Sequence, residues 1–174
     1  MKIDKDYLKS KIKDVPDYPS PGIIFKDITP LFLEPEIINF VIDEFAKHVA
    51  SLDVDAIVGV ESRGYLFGLP LALKINKPFV MARKPNKLPR EVYSADYSLE
   101  YGKSTMQMHK DALEKGMKVL IVDDLLATGG TVGAVEDLVR QAGGIVVGSL
   151  FLIKLNFLEG DKKLSGNIYS LINY

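Results

Sequence analysis

The sequence predicts an α/β fold in which a mostly parallel central sheet is flanked by helices. Short β-branched runs alternate with amphipathic helical patterns. Polar, Gly-containing turns follow the runs, and a near-balanced charge accompanies 47% hydrophobic content. Alternation of this kind covers a parallel sheet on both faces. At 174 residues the chain suits a single domain, 1–174, with room for no more than a small appendage.

Taken in order, residues 7–13 can form a short helix, after which Pro16, Pro19 and Pro21 impose an extended, turning segment. Regular structure is expected again after Pro30. From Glu36 to Ser51, Ile37, Ile38, Val41, Ile42, Phe45 and Val49 recur at helical spacing and require a sheet to bury them. Ala56–Val60 reads as a strand, followed by the turn Glu61-Ser62-Arg63-Gly64 and a helix to about Leu73. Phe79–Ala82 is the next strand. Residues 83–103 are polar and weakly patterned, a length usual for a functional loop, although hairpin strands fit within it. Met106–Leu113 fits either helix or strand. Val119–Val122 is a buried strand, Thr131 a suitable N-cap for the helix bearing Val132, Val135, Leu138 and Val139, and Gly143-Gly144 its stop. Ile145–Leu155 and Ile168–Ile172 complete the strands.

Composition narrows the function classes. Lys and Arg number 22 against 23 Asp and Glu, a net charge of −1 that gives no general pull toward nucleic acid or anionic membrane. The absence of cysteine removes thiolate nucleophiles and Cys-based zinc sites. His48 and His109 are too few for a metal cluster and read as structural. The charged start lacks an apolar signal core, and the longest apolar stretch is short of a membrane span, so a cytoplasmic protein is expected.

In parallel sheets ligands sit outside the carboxyl ends of the strands. Three polar turns fall there: Glu61–Gly64, Arg83 onward, and Asp123–Thr131. Ala127-Thr128-Gly129-Gly130-Thr131 opens a helix, and its N–H groups and hydroxyls can wrap a phosphate. Asp123 and Asp124 would repel that phosphate unless something lies between. Vicinal sugar hydroxyls fit as donors to the carboxylates while a phosphate on the same sugar reaches the loop. The stretch therefore suits a ribose 5-phosphate.

The apolar strand, Asp123-Asp124 and Ala127-Thr128-Gly129-Gly130-Thr131 closely resemble the 5-phosphoribosyl 1-diphosphate (PRPP) motif of the type I phosphoribosyltransferases. Asp17-Tyr18-Pro19-Ser20-Pro21-Gly22-Ile23-Ile24-Phe25-Lys26-Asp27, Glu61-Ser62-Arg63-Gly64, Lys87-Leu88-Pro89 and Leu99-Glu100-Tyr101-Gly102 resemble the adenine-specific members, over nearly the whole chain. The resemblance implies the type I fold, with residues 1–35 forming a small N-terminal hood and 83–105 a long flexible loop over the site. It also implies purine salvage, in which adenine and PRPP give AMP and diphosphate, with Mg2+ carried on PRPP and a homodimeric assembly. It implies that Arg63, Arg83 and Lys87 meet the diphosphate, Arg83 from its own or a neighbouring subunit. Asp123 and Asp124 hold the ribose and favour its developing positive charge. Glu100 hydrogen-bonds the purine near N7 as an acid or base. Phe25 and Leu125 sandwich the ring, and backbone groups of Ile24 and Lys26 read its edge.

Two other readings share the loop. A sister enzyme would take xanthine, hypoxanthine or guanine, and only Ile24–Asp27 and Leu99–Tyr101 discriminate it. A non-enzymatic PRPP or nucleotide sensor would call for a DNA-reading module and a basic face, for which the chain has neither the length nor the charge.

Overall fold

The computed structural model describes residues 3–98 and 102–174. It divides into two compact units, Met1–Glu44 and Phe45–Tyr174.

In the first unit, helix α1 (Lys5–Lys11) starts at Asp4, whose side chain accepts from the Tyr7 N–H at 3.0 Å and so caps the helix. The Tyr7 hydroxyl donates to Glu34 at 2.8 Å, and Lys11 pairs with the same carboxylate. Strands β1 (Lys13–Pro16) and β2 (Ile24–Asp27) form an antiparallel pair, with Val15 opposite Phe25. This corrects the expectation that regular structure resumes only after Pro30. The prolines occupy the end of β1 and the connection, where no ladder N–H is required of them. The division falls within α2 (Pro35–Val49), whose predicted apolar face, including Ile37, Val41, Phe45 and Val49, is buried.

The second unit is built on a five-stranded parallel sheet in the order β4-β3-β7-β8-β9. Its outer strand β4 (Phe79–Ala82) and neighbour β3 (Ala56–Val60) are joined by α3 (Tyr65–Lys74). Next in sequence comes a hairpin, β5 (Val92–Ser98) with β6 (Lys103–His109), so the segment expected as a loop contains strands and Met106 lies in one of them. Alternate hairpin residues Ala95, Met106 and Met108 are buried while their neighbours are polar, which is why a periodicity search over so short a run finds little. The sheet then continues with β7 (Lys118–Leu126), crosses over through α4 (Gly130–Gln141) to β8 (Ile145–Lys154), and ends in β9 (Asn167–Asn173).

Both sheet faces are covered. Ala56, Val58 and Val60 join Val119, Ile121 and Phe151 in one core with Val135 and Leu138 of α4 and Met106 and Met108 of the hairpin. On the other face Tyr65 of α3 meets Phe79 edge-to-face at 5.9 Å, and Phe67 meets Phe45 at 6.2 Å. His48 stacks on Tyr169 with ring centroids 4.0 Å apart and sits 3.0 Å from the Asn167 side-chain oxygen, tying the end of α2 to β9. His109 lies 3.3 Å from Arg90. Both histidines have the structural settings the sequence suggests.

Candidate active site

The site grows from unequal strand lengths. Strand β7 pairs with β3 as far as Val122 opposite Gly59, but continues beside β8 to Leu126 opposite Lys154. The predicted strand therefore ends four residues too early: Asp123 and Asp124 are part of β7, not of a turn after it. Main-chain pairing to β8 fixes their backbone, which a loop would not do.

Where β3 stops, Glu61–Gly64 turns into α3. A Cβ on Gly64 would lie 2.6 Å from both the Val122 and Val60 carbonyl oxygens, so only glycine lets this turn settle onto the strand ends. That approach carries Arg63 to Asp124, with Nε 2.9 Å from Oδ2. Asp124 is 5% exposed. Asp123 accepts the Asp124 N–H at 2.8 Å.

The phosphate loop enters α4 through Gly129, whose φ of 81° is left-handed. Gly129 is the N-cap in place of the expected Thr131, which sits inside the first turn. No side chain of the cap residue bonds the helix start, so the first-turn N–H groups are not consumed by it. A Cβ on Gly129 would lie 2.5 Å from the Gly160 carbonyl oxygen, and one on Gly160 would lie 2.2 Å from that of Ala127. The loop is thus braced by a glycine 31 positions downstream of Gly129.

These elements enclose a cavity of about 260 Å³ lined by Glu61, Ser62, Arg63, Lys84, Tyr97, Met106, Asp123, Asp124, Leu125 and Thr131. A recess of about 80 Å³ adjoins it, lined by Asp123, Leu125 and Ala127–Val132. The three polar turns converge on one crevice, as expected. Together the spaces lie at the lower end of the size usual for small-molecule sites.

Electrostatics distinguish the three carboxylates. Burial, then the Asp124 charge, push Asp123 well above the ordinary carboxylate range. Burial also raises Asp124, while Arg63 draws it back. Glu61 goes the other way: burial works against its charge, but the Lys87 ammonium at 2.5 Å, the Lys84 N–H at 2.8 Å and Arg83 at 3.3 Å outweigh it. The Tyr65 hydroxyl, raised above its usual value first by burial, donates to the Ala82 carbonyl at 2.7 Å and anchors the turn to β4.

The structure thus gathers Arg63, Asp123, Asp124, Leu125 and Thr131 around the cavity, and Ala127, Thr128, Gly129 and Gly130 around the recess. Arg83 and Lys87 reach the cavity through Glu61, which lines it. Glu100 lies outside the described residues. Ile24, Phe25 and Lys26 belong to the first unit. There Phe25 meets Tyr18 edge-to-face at 5.1 Å, Lys26 pairs with Asp14 at 2.6 Å, and Ile23 and Ile24 are exposed, so this apolar run is not core. Glu61, Lys84, Tyr97 and Gly160 have no role assigned from sequence, although Glu61 lies in the Glu61–Gly64 motif and Lys84 beside Arg83. Glu61 carried a signal in its place directly after an apolar strand, whereas the lone Gly160 carried none.

Comparison with known proteins agrees with this geometry. A family model described as phosphoribosyl transferase domain matches residues 33–169. The chain is 65% identical to the adenine phosphoribosyltransferase of Ureaplasma parvum serovar 3 over 172 residues, which cover 99% of each protein. It is 50% identical to that of Rubrobacter xylanophilus, over 96% of this chain and 91% of the relative. Among solved structures it is similar to the adenine phosphoribosyltransferase of Thermoanaerobacter pseudethanolicus, with a TM-score of 0.96 and 47% identity over 98% and 99% of the two chains. It also resembles the Saccharomyces cerevisiae enzyme, complexed with an imino-altritol bisphosphate and adenine, with a TM-score of 0.92 and 39% identity over 96% and 97%.

Proposed function

The chain belongs to the phosphoribosyl transferase family, and from that premise we propose how its cavity works. The protein is an enzyme of purine salvage that transfers the 5-phosphoribosyl group from PRPP to adenine, giving AMP and diphosphate. The observation that carries the mechanism is the Asp123-Asp124 pair, half-buried and buried respectively, held between Arg63 and the uncapped start of α4.

The 5-phosphate enters Ala127–Thr131, where the helix N–H groups and dipole meet it. The ribose hydroxyls then donate to Asp123 and Asp124. As they take up Asp124, Arg63 turns its guanidinium toward the diphosphate, a planar fork matched to paired oxygens. Arg83 and Lys87 approach the same group. The bond from the anomeric carbon to the diphosphate oxygen breaks with its electrons going to diphosphate, and the sugar acquires oxocarbenium character. The fixed carboxylates favour that positive charge without moving a proton. The N9–C bond forms with the purine pair, and the N9 proton passes to solvent or to the departing diphosphate. Glu100 keeps the part the resemblance gives it, a hydrogen bond near N7. Phe25, Leu125 and the backbone of Ile24 and Lys26 are proposed to hold the base.

Magnesium enters as part of the substrate, bound to PRPP. Among the described residues no group of three His, Cys, Asp or Glu side chains that could hold a metal ion occurs. We assign a homodimer and a cytoplasmic location on the same footing; among the described residues no helix is long and apolar enough to cross a membrane. The direct test measures AMP from adenine and PRPP, with and without magnesium, beside a panel of hypoxanthine, guanine and xanthine. Formation of AMP only with magnesium is expected, and transfer to hypoxanthine but not adenine would overturn the base assignment.

A further inference from the structure

Every cation assigned to the diphosphate is already engaged by a carboxylate. Arg63 sits on Asp124, and both Arg83 and Lys87 sit on Glu61. Glu61 is not a surface partner. Its side chain is 7% exposed, it faces the cavity, and it takes the Lys84 N–H as well. A buried carboxylate with three donors is costly to leave unpaired, so it holds the residues around 83–87 toward the cavity. Two further contacts fix the same segment. Arg83 and Gln107 exchange backbone hydrogen bonds at 2.8 and 2.7 Å, and the Gln107 side chain accepts the Asn86 N–H at 3.2 Å. Against so firm a base, the long side chains of Arg83 and Lys87 are the parts able to swing.

We propose that Glu61 is a positioning residue that occupies the diphosphate's place in the charge network, holding Arg83 and Lys87 when diphosphate is absent and reclaiming them as it leaves. The inference rests on the assignment of those two cations to the diphosphate. Its physical content is competition. A fixed negative charge beside an anion site weakens the anion, and it does so most for the product, which carries its full charge once the bond to the sugar is broken. The site thereby trades some affinity for release. A residue that only braced the loop would act in the opposite sense, because losing it would scatter the cations and weaken diphosphate.

The test uses the full-length enzyme and inorganic diphosphate as product inhibitor. Glu61→Gln keeps the side-chain shape and its capacity to accept hydrogen bonds but removes the charge. Its inhibition constant for diphosphate should fall by about fivefold or more. The KM for PRPP should fall with it, and kcat should decline as release slows. In Lys87→Met diphosphate should bind more weakly, and in the double variant the gain from Glu61→Gln should shrink, since one of the competed cations is gone. A diphosphate constant that is unchanged or raised in folded Glu61→Gln overturns the exchange. If Lys87→Met and Arg83→Met both leave diphosphate inhibition unaltered, the assignment of those cations fails instead. Should Glu61→Gln not fold, Glu61→Asp serves: retracting the charge by one methylene should tighten diphosphate in the same direction, and weaker inhibition there overturns the proposal.

Discussion

Replacing Asp124 by Asn removes one charge from the centre of the cavity and almost nothing else. The side chain is 5% exposed, and the amide oxygen can still accept from Arg63, whose Nε lies 2.9 Å from the present carboxylate. Arg63 is 37% exposed, so solvent screens the pair and its loss costs about 1 kcal/mol of stability, well short of the figure for a fully buried pair. Removing the repulsion with Asp123 returns part of that, and the melting temperature should move by less than about 4 °C. Activity responds differently. Losing one preorganised group aimed at developing charge is worth about 3 kcal/mol of barrier, roughly a hundredfold in kcat. Asp123 offsets a share, because its proton affinity falls once the neighbouring charge is gone and it is then more fully ionised. The expected loss is between about tenfold and a hundredfold in AMP formation at saturating adenine and PRPP. A kcat within about twofold of the wild type in a variant of unchanged melting temperature would refute the electrostatic role.

The remaining predictions follow from the same geometry. Asp123 has its pKa raised on folding, so the folded state prefers its protonated form; the associated stability is complete below the unfolded value and is lost as pH rises through the folded one. Asp123→Asn, which can still accept the Asp124 N–H, should therefore raise the melting temperature at pH 7 by a few degrees, about 1 kcal/mol, while lowering turnover; a drop in melting temperature counts against the burial argument. The ionised pair is the working form, so kcat/KM for PRPP should fall with acid at a pH above the ordinary carboxylate range. Arg63→Met should move that limb upward, and a limb that stays put means another group governs it. Gly129→Ala puts a Cβ 2.5 Å from the Gly160 carbonyl oxygen at a left-handed φ, so it should cost about 2 kcal/mol or more in denaturant unfolding and weaken PRPP; a neutral result refutes the bracing. The Ser149 hydroxyl is buried without a hydrogen-bond partner among the described residues, and Ser149→Ala should be neutral or stabilising by up to about 1 kcal/mol.

Local patterns made the parallel core legible. Strands β3, β4 and β8 fall within a residue or so of their sequence limits, because strands of a covered parallel sheet are continuous apolar runs whose signal is local. What failed was long-range. The hairpin was hidden because Tyr93, Ala95 and Tyr97 alternate with Ser and Asp too briefly to be separated from a polar loop, and its burial comes from α4. Asp123 and Asp124 looked like a turn because charge usually ends a buried strand. Here β8 continues to pair along this stretch, and Arg63 reaches Asp124 from 61 positions upstream. Thr131 looked like a cap by residue preference, yet contact between Gly129 and Gly160 decides where the helix begins. The phosphate motif was legible because it is contiguous; Glu61 was not, because its meaning lies in partners 22 to 26 residues away.

That difference has a consequence for how the cavity tolerates an anionic substrate. A site built only from cations would bind PRPP tightly and release diphosphate slowly, since both species bring similar phosphate charge. Here the cations begin in pairs with carboxylates, and the two sets of pairs differ. Asp124 can exchange Arg63 for sugar hydroxyls that remain in AMP. Lys87 and Arg83 can exchange Glu61 only for phosphate oxygens that leave with diphosphate. Binding therefore replaces one set of contacts with another of similar sign, and the gain in affinity is smaller than the number of contacts suggests. The interactions that remain unbalanced are those to charge that exists only midway, the positive sugar facing Asp123 and Asp124. Burial raises the proton affinity of both carboxylates, Arg63 holds Asp124 back, and the ionised pair that meets the sugar is poorly solvated, so the contact that strengthens most along the reaction is the one that lowers its barrier.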